Sequence, residues 1–325
     1  MKILGMGNAL VDVLIRLNDD NVLNELELPK GSMQLIDQHK REKIFRTVDG
    51  YNTSLATGGS ASNTILALSK MGVDSGFIGK VGDDEYGRFY VREIGEAGVT
   101  PHFYRENSPS GTAMTLITPD GERTFGTYLG AAADLQANEL QENVFLAYRI
   151  FYVEGYLINN YSLIEKAMQM AKAQGLMIAI DLASYNVVEA NRDSFLTLIR
   201  EYVDIVFANK EEARMLTGKE SEEAVKELAS MTRIAVVKVG SDGSFVMKGE
   251  DLVKIPAIET QMVDATAAGD FFAAGFFYGM IHQAGLEQCG RIGSLLASNV
   301  IKVVGTKLSE EVWDKIRLGA SEILN

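Results

Sequence analysis

The feature that most constrains the fold of this chain is a regular alternation of short apolar runs with longer helical patterns. Helical stretches between apolar strands predict right-handed βαβ crossovers and a mostly parallel sheet flanked by helices. In such a sheet, ligands bind at the carboxyl ends of the strands. The predicted strands are residues 2–7, 76–81, 150–153, 176–181, 204–207 and 234–239, and the predicted helices are residues 61–71, 86–97, 162–174, 192–202, 211–216, 222–230 and 268–283.

Two stretches interrupt this alternation and have the pattern of short strands joined by turns, residues 11–37 and residues 100–128. The second contains the sequence Thr118-Pro119-Asp120-Gly121, which predicts a β-hairpin turn. We expect the two stretches to pair into a small β-sheet lid on a single domain that spans residues 1–325. The alternative is separate hairpins without a role, because surface loops tolerate insertions.

The chain is acidic, with 44 Asp and Glu residues against 31 Lys and Arg residues and a formal net charge of −13. This charge argues against nucleic acid and anionic membranes as partners, since both require a basic surface. No apolar run approaches the roughly 18 residues of a membrane span, and the first residues lack a signal-peptide pattern, so we expect a cytoplasmic protein. A single cysteine, Cys289, argues against a disulfide framework.

The first strand ends in Gly5-Met6-Gly7, which is similar to part of a dinucleotide-binding fingerprint. Leu10 stands where that fingerprint requires a third glycine, so a nucleotide-dependent oxidoreductase has little support. The chain also contains no glycine-rich sequence that ends in Gly-Lys-Ser or Gly-Lys-Thr, which excludes a Walker-type phosphate loop.

A second glycine pair, Gly58-Gly59, precedes Ser60 and an apolar helical pattern. Paired glycines let a ligand approach the backbone closely, and Ser60 is predicted to cap the helix. Asn63 lies one turn into the helix, where its amide is expected to face a sugar hydroxyl. The motif alone is equally consistent with a tight turn and a cap.

The segment from Asp264 to Asp270 is rich in small residues and precedes a helix that is apolar on nearly all sides and therefore predicted to be buried. Unpaired N–H groups and the helix dipole at such a helix start form an anion site. A carboxylate there repels the anion unless it serves the chemistry. The segment therefore favours Asp270 as an acceptor of a proton, over a role limited to complementing the dipole.

Asn209 and Glu212 follow the predicted strand 204–207, at the edge where a phosphate-bound metal ion would lie. Amide and carboxylate oxygens are ligands that Mg²⁺ takes directly or through water. The same spacing also fits a capping box, in which the two side chains bond each other's backbone. The pair alone does not decide between these roles.

In their order along the chain, these motifs resemble those of the ribokinase (PfkB) family of carbohydrate and nucleoside kinases. The resemblance covers nearly the whole chain and implies a ribokinase-like α/β fold with a small β-sheet lid. The matching stretches are residues 5–12 (GMGNALVD), Gly58-Gly59-Ser60 with Asn63, residues 79–84 (GKVGDD) with Gly87, Asn209 with Glu212, residues 239–243 (VGSDG) and residues 264–270 (DATAAGD).

For the chemistry, the resemblance implies transfer of the γ-phosphoryl group of ATP to a primary hydroxyl. Asp270 matches the catalytic base that accepts the proton of that hydroxyl. The backbone amides of Ala267, Ala268 and Gly269 match the anion hole that faces the phosphoryl group.

For ATP and its metal ion, the resemblance implies two further groups of residues. Asn209 and Glu212 match the pair that organises Mg²⁺, through water. Lys238, Gly240 and Gly243 match the strand and turn that bind ATP. A monovalent cation is a further cofactor to consider.

For the acceptor, the resemblance implies a small-molecule sugar or nucleoside, and by family analogy a homodimer formed through the lid. Arg123 matches a basic residue of the lid near the phosphates. The acceptor-binding positions are Asn8, Asp12, Gly58, Gly59, Asn63 and Glu154.

The chain departs from the family pattern at three positions near the phosphates. Ala265 and Ala267 replace a threonine and a glycine of the usual motif, and a positive φ at Ala267 would add roughly 1–2 kcal/mol of strain. Asp181 stands where many members have asparagine, which places an additional acid near the phosphates. A catalytically weak protein that binds ATP or sugar as a regulator is therefore the alternative function.

The acceptor is open between a nucleoside and a free ribose or fructose-like sugar. Asn8 and Asp12 slightly favour the adenosine-kinase-like branch, where such residues hold ribose hydroxyls. A nucleoside base also needs apolar or aromatic walls, for which Met33, Phe125 and Tyr128 are candidates. These three residues are equally suited to the core of the small sheet.

Overall fold

The computed structural model describes residues 1–325 and contains two β-sheets, the larger one flanked by helices. The strands are β1 (Ile3–Met6), β2 (Leu10–Arg16), β3 (Met33–Leu35), β4 (Thr53–Gly58), β5 (Ser75–Gly82), β6 (Thr100–Glu106), β7 (Gly111–Ile117), β8 (Arg123–Tyr128), β9 (Ile150–Glu154), β10 (Met177–Asp181), β11 (Ile205–Asn209), β12 (Ile234–Lys238), β13 (Ser244–Lys248) and β14 (Asp251–Ile255). The α-helices are α1 (Asn21–Glu25), α2 (Gln38–Thr47), α3 (Ser60–Lys70), α4 (Glu85–Glu96), α5 (Tyr161–Ala173), α6 (Tyr185–Ala190), α7 (Arg192–Tyr202), α8 (Lys210–Thr217), α9 (Ser221–Ala229), α10 (Ala268–Ile281), α11 (Leu286–Val300) and α12 (Glu310–Leu324).

The large sheet has nine strands in the order β14-β13-β12-β11-β10-β9-β1-β5-β6. The strands from β12 to β6 are parallel, and β13 and β14 form an antiparallel edge, which confirms the predicted mostly parallel α/β architecture. The chain passes from β1 to β5 on one side and later returns to β9 on the other side. The carboxyl ends of β1 and β9 therefore flank the point where strand order reverses, which is where open α/β sheets bind ligands.

The small sheet has five strands in the order β3-β8-β7-β2-β4. Strand β2 pairs with β7 in parallel, from Leu10 opposite Gly111 to Arg16 opposite Ile117, so the two interrupting stretches do join. Strands β7 and β8 form the antiparallel hairpin that the turn sequence predicts.

The boundaries of the small sheet differ from the predicted 11–37 and 100–128 at two strands. Residues 100–106 form β6 at the edge of the large sheet, because Phe103 packs in an aromatic cluster with Phe77 and Tyr90 at centroid distances of 6.0 and 5.6 Å. Residues 53–58, which were predicted as neither strand nor lid, form β4 and pair with β2.

Helix α10 is buried among aromatic side chains, as its nearly uniform apolar sequence predicts. Phe276 and Phe277 contact Phe207 of β11 edge-on, with ring centroids 5.5 and 5.3 Å apart. This packing fixes the first turn of α10 at the carboxyl edge of the large sheet. No helix of the protein combines the length and apolarity required to cross a membrane.

Candidate active site

Asp270 lies in the first turn of α10, and its carboxylate is held by two side chains of α3. Ser60 Oγ donates to Oδ1 at 2.7 Å, and Asn63 Nδ2 donates to Oδ2 at 2.9 Å. Burial raises the pKa of Asp270 to about 6, although the two hydrogen bonds act in the opposite direction. A fixed carboxylate with a pKa close to neutrality is suited to accept a proton from a bound hydroxyl.

These contacts change the predicted roles of two α3 residues. Gly59, not Ser60, is the N-cap of α3, and the Ser60 hydroxyl is directed to Asp270 instead of to the backbone of its own helix. The Asn63 amide nitrogen also donates to Asp270, whereas the sequence predicted that this amide faces a sugar hydroxyl. Both residues lie three positions apart on one helix face, so one helix supplies both donors.

The start of α10 presents backbone N–H groups without a protein acceptor. The N–H groups of Ala267, Gly269 and Asp270 have no partner, whereas the N–H of Ala268 donates to the Ala265 carbonyl at 3.2 Å. The donor set thus differs from the predicted one at Ala268. Together with the positive end of the helix dipole, these groups are suited to bind an anion beside the Asp270 carboxylate.

Ala267 is the N-cap of α10 and has φ +61° and ψ 8°, which is the left-handed region. A non-glycine residue there costs roughly 1–2 kcal/mol. The N–H of Ala267 nevertheless has no protein acceptor, so the alanine keeps a donor that is free to meet an anion.

We expect Ala267→Gly to raise the free energy of unfolding by up to about 1 kcal/mol, because the strain is larger than the entropy that glycine loses on folding. Ala268→Gly is the matched control, since Ala268 lies in the helix and should lose about 0.5–1 kcal/mol. Urea denaturation measures both values. Equal losses in the two variants would contradict the strain at Ala267.

Glu154 at the end of β9 connects three parts of the site. Its Oε1 accepts from the N–H and Nδ2 of Asn8 at 2.9 and 2.7 Å, and its Oε2 accepts from the Ala61 N–H at 3.0 Å. Burial raises the pKa of Glu154 to about 7 against these donors. Both carboxylate oxygens accept protein donors and the side chain is buried, so Glu154 holds β1 and α3 together, and its contact to an acceptor stays a prediction.

The carboxylate of Asp12 on β2 faces the same region and makes no hydrogen bond within the protein. Burial and repulsion from Asp270 raise its pKa to about 7. A side chain at Gly58 would collide with the Asp12 carboxylate, and one at Gly59, with φ +96°, would collide with the Asn8 carbonyl oxygen. The two glycines therefore let β2, β4 and the end of β1 meet, which brings the predicted acceptor-binding residues together around an unpartnered carboxylate.

Asn209 and Glu212 form a capping box at the start of α8. Asn209 N–H and Nδ2 donate to the two Glu212 oxygens at 2.7 and 2.6 Å, and the Glu212 N–H donates back to Asn209 Oδ1 at 2.9 Å. Burial and repulsion from Asp181 raise the pKa of Glu212 to about 7.

A magnesium ion fits this pair only in part. No group of three or more acidic, His or Cys side chains is arranged to hold a metal ion by itself. A buried carboxylate with a raised pKa is nevertheless stabilised by a nearby cation. The residues therefore suit a Mg²⁺ that is bound mainly by phosphates and water, with Glu212 and Asn209 contacting its waters.

Lys238 is the last residue of β12, in the strand to which the sequence prediction assigns it. Its Nζ donates to Asp181 Oδ2 at 2.7 Å, which compensates the additional acid seen in the sequence. Gly240 and Gly243 lie in the turn that follows, at the same sheet edge, with φ +62° and +93°.

Arg123, the first residue of β8, reaches from the small sheet to the segment before α10. It forms a largely buried ion pair with Asp264. Asp264 also accepts from the N–H and Oγ1 of Thr266 at 3.0 and 2.7 Å and from the Gly305 N–H at 2.8 Å. Arg123 is therefore held beside the segment that leads into α10, and its positive charge is paired with Asp264. Its predicted place near the phosphates stays a prediction.

Of the three side chains that were candidates to contact a nucleoside base, only two lie on the face of the small sheet that is directed to the site. Met33 and Phe125 lie opposite each other on β3 and β8, and β8 alternation puts Phe125 on the same face as Arg123. Tyr128 points to the other face, where its ring lies 5.4 Å from the Arg41 guanidinium. Tyr128 is therefore excluded as a wall of this site.

Sequence reasoning missed the partners that hold the charged groups in place. Ser60 as a partner of Asp270, Asp264 as a partner of Arg123, and Asp181 as a partner of Lys238 are separated by 210, 141 and 57 positions. The spacing of Ser60 and Asn63 on one helix face was the only local signal for any of them.

The comparisons with known proteins agree with this geometry. An adenosine kinase from Sinorhizobium meliloti is 34% identical, with a TM-score of 0.86 over 98% of this chain and 99% of that one. A probable sugar kinase from Rhizobium etli is 32% identical, with a TM-score of 0.87 over 98% of each chain, and adenosine kinase 2 of Arabidopsis thaliana is 26% identical over 95% of this chain and 96% of that protein. The family model of the pfkB family carbohydrate kinases matches residues 34–313. The chain therefore belongs to the pfkB family of carbohydrate kinases.

Proposed function

We propose that this protein transfers the γ-phosphoryl group of ATP to the primary hydroxyl of the ribose of a nucleoside, with adenosine as the first candidate. The observation that carries the proposal is the Asp270 carboxylate, held by Ser60 and Asn63 beside the unpartnered N–H groups of Ala267 and Gly269. The similarity to an adenosine kinase at 34% identity supports the nucleoside.

In the proposed reaction, Asp270 accepts the proton of the acceptor hydroxyl while the oxygen of that hydroxyl forms a bond to the γ-phosphorus. The bond from that phosphorus to the bridging oxygen of ADP breaks, and the charge on the equatorial oxygens meets the N–H groups at the start of α10. Phosphoryl transfer has a loose transition state, so positioning and electrostatic stabilisation supply most of the rate. One donor of this kind contributes roughly 3–4 kcal/mol.

The metal ion would be Mg²⁺ bound together with ATP, and Asn209 and Glu212 would hold it through water. When bound, it neutralises part of the phosphate charge. The turn with Gly240 and Gly243 lies beside this region and is the proposed position of the nucleotide. The proposed compartment of the protein is the cytoplasm, where ATP is supplied. The single cysteine, Cys289, is free and buried, which is consistent with a reducing compartment.

The acceptor would lie between the large sheet and the face of the small sheet that carries Asp12, Phe125 and Met33. Asp12 has no protein partner and is available to two ribose hydroxyls, while the apolar side chains would contact the base. In this role the small sheet is a lid, which excludes water and so prevents hydrolysis of ATP. Met33 and Leu35 of the edge strand β3 are 67% and 73% exposed and would also be the residues covered in a homodimer.

The regulatory alternative has less support, because Ala267 retains its N–H donor and Asp270 is held in a reactive position. Incubation with Mg·ATP and a panel of adenosine, guanosine, inosine, ribose and fructose tests the proposal through ADP release. We expect a nucleoside to give the highest kcat/KM and Asp12→Asn to raise KM for it. Phosphorylation of free sugars but of no nucleoside would overturn the assignment of a nucleoside as acceptor. Tight ATP binding without turnover would support the regulatory alternative.

A further inference from the structure

A cavity of about 360 Å³ lies on the side of the small sheet that faces away from the candidate active site. Val13 on β2 and Leu55 on β4 are opposite each other in the sheet, and both line the cavity. Because side chains alternate along a strand, Val13 is directed to the opposite face from Asp12, so this cavity is separate from the active site. The other lining residues belong to α2, to the chain from α2 into β4 and to the first turn of α4 (Phe45, Val48, Asp49, Gly50, Tyr51, Thr53, Glu85 and Tyr86).

Three aromatic rings form walls of the cavity. Phe45 of α2 and Tyr86 of α4 are stacked, with ring centroids 5.7 Å apart and an angle of 26° between the ring planes. Tyr51 lies on the segment between α2 and β4. All three side chains are only partly buried, so they keep surface that a ligand can cover. A concave space with aromatic walls and a few polar groups is the usual form of a small-molecule site.

Two of these rings already face a cation from the interior of the protein. The Arg41 guanidinium carbon lies 4.9 Å from the ring centroid of Phe45 and 5.7 Å from that of Tyr86. Arg41 is buried, donates to Thr112 Oγ1 at 3.3 Å and does not line the cavity. Its charge is attracted by the Asp84 carboxylate at the N-cap of α4, which offsets it inside the protein. The rings are therefore oriented as aromatic rings are when they attract positive charge.

The charged residues of the lining are both acidic. Asp49 and Glu85 are exposed, and neither carboxylate has an ion-pair or hydrogen-bond partner in the protein. No Lys or Arg residue lines the cavity. An anion would be repelled by these carboxylates and by the net charge of −13, whereas a cation would be attracted by the carboxylates and the rings together.

We propose that this cavity binds an organic ammonium ion, whose apolar groups contact Phe45, Tyr51 and Tyr86 and whose charge is attracted by Glu85 and Asp49. The ion would lie between α2 and β4 of the small sheet and α4, which packs on β5 and β6 of the large sheet. Binding is non-covalent and requires neither ATP nor an acceptor, so it is independent of the proposed kinase function.

Calorimetric titration with benzyltrimethylammonium tests this site, because the ion has a fixed charge, an aromatic ring and no hydroxyl group for a kinase to phosphorylate. N,N-dimethylbenzamide, which is neutral and of similar size, is the comparison. We expect one benzyltrimethylammonium ion per chain and binding of the amide that is weaker by about tenfold or more, since only the ion gains from the rings and the carboxylates.

Tyr86→Leu should weaken binding of benzyltrimethylammonium about tenfold, because it removes an aromatic wall and retains an apolar side chain. Tyr202→Leu is the matched control, since the Tyr202 ring lies 5.2 Å from the Lys172 ammonium but lines no part of the cavity. Glu85→Gln should weaken binding about threefold, and more at low salt than at high salt. Glu96→Gln, at the other end of α4, should leave it unchanged.

Hydrogen exchange of the wild type locates the ion without any substitution. Bound benzyltrimethylammonium should slow exchange in residues 38–58 and 85–96. Protection confined to the residues around Asp270 would place the ion in the active site and overturn the proposal. Equal affinity for the ion and the amide would overturn it too, as would unchanged binding in Tyr86→Leu. If Tyr86→Leu does not fold, Phe45→Leu provides the same comparison, with the same loss expected.

Discussion

Asp270→Asn is expected to reduce phosphoryl transfer at least about a hundredfold while it leaves the affinity for Mg·ATP nearly unchanged. A positioned general base contributes roughly 10²–10⁴ in rate, and an amide cannot accept the proton. The substitution also removes a negative charge beside the anion site, so ATP binding should be retained or slightly improved. Steady-state kinetics and calorimetry on the same preparation measure both quantities.

The structure indicates that Asp270→Asn preserves the local fold. Ser60 can still donate to the carbonyl oxygen of the new amide. Asn63 Oδ1 is buried without a hydrogen-bond partner, so rotation of the Asn63 amide would let this oxygen accept from the new NH₂ group. A loss of activity in this variant therefore reports lost chemistry, and an unchanged melting temperature checks that point.

Asp251→Asn is the matched control, because Asp251 is exposed on β14 and outside the site. Wild-type turnover in Asp270→Asn would remove the base from the mechanism. A large loss of ATP affinity would also contradict the assignment, because the carboxylate is predicted to act on the hydroxyl and not on the nucleotide.

The pKa of Asp270 sets the acid limb of the same reaction. Only the ionised carboxylate accepts a proton, and burial raises the pKa to about 6, so kcat/KM should fall tenfold per pH unit below that value.

The free energy of unfolding depends on pH in the opposite direction, because protonation of Asp270 stabilises the fold. The folded protein binds this proton more tightly than the unfolded chain does, so the contribution of Asp270 to stability is lost as pH rises through about 6.

Local pattern was sufficient for the elements that bury an apolar face. Helix α7 has the bounds 192–202 that its sequence predicts, and the small residues before α10 correctly indicated free N–H groups beside Asp270. Strands were harder to assign to a sheet. The sequences of residues 53–58 and 100–106 do not encode their neighbours, and pairing with β2 or β5 decides which sheet each one joins.

The partners of the charged residues lay beyond sequence reasoning for a related physical reason. A buried charge requires a partner, but any of several acids or donors can satisfy it, and the fold selects one. The resemblance assigned Glu154 to acceptor binding, and only the positions of Asn8 and Ala61 show that both of its oxygens accept protein donors. Arg123 was likewise predicted to lie near the phosphates, and its ion pair with Asp264 could not be foreseen from the sequence.

Arg123→Met should lower the free energy of unfolding by about 3 kcal/mol, because it leaves the buried charge of Asp264 without its cation. Burial alone would raise the pKa of Asp264, and Arg123 together with the donors of Gly305 and Thr266 holds it below its ordinary value. Those remaining donors keep the loss at the lower end of the range for a broken buried pair.

The same substitution tests whether the small sheet is a lid that is connected to the anion site. The ion pair joins β8 to the segment that leads into Ala267, so its loss should release the small sheet and raise hydrogen exchange in residues 111–128. Transfer to the acceptor should fall, and hydrolysis of ATP relative to transfer should rise, because water gains access to the γ-phosphate. Acceptor binding should reduce exchange in the wild type and do so less in the variant.

A double-mutant cycle with Asp264→Asn separates the ion pair from the other contacts of each residue, and a coupling of at least about 1 kcal/mol is expected for groups in direct contact. Arg105→Met is the control. Arg105 forms an ion pair with Asp83, with 3.5 Å between Nη1 and Oδ1, but both side chains are exposed to solvent, so this pair contributes little to stability. Unchanged exchange in the small sheet of Arg123→Met, with wild-type transfer, would show that the lid closes without this contact. In that case Asp264 would serve only to shape the loop before α10, through Thr266 and Gly305.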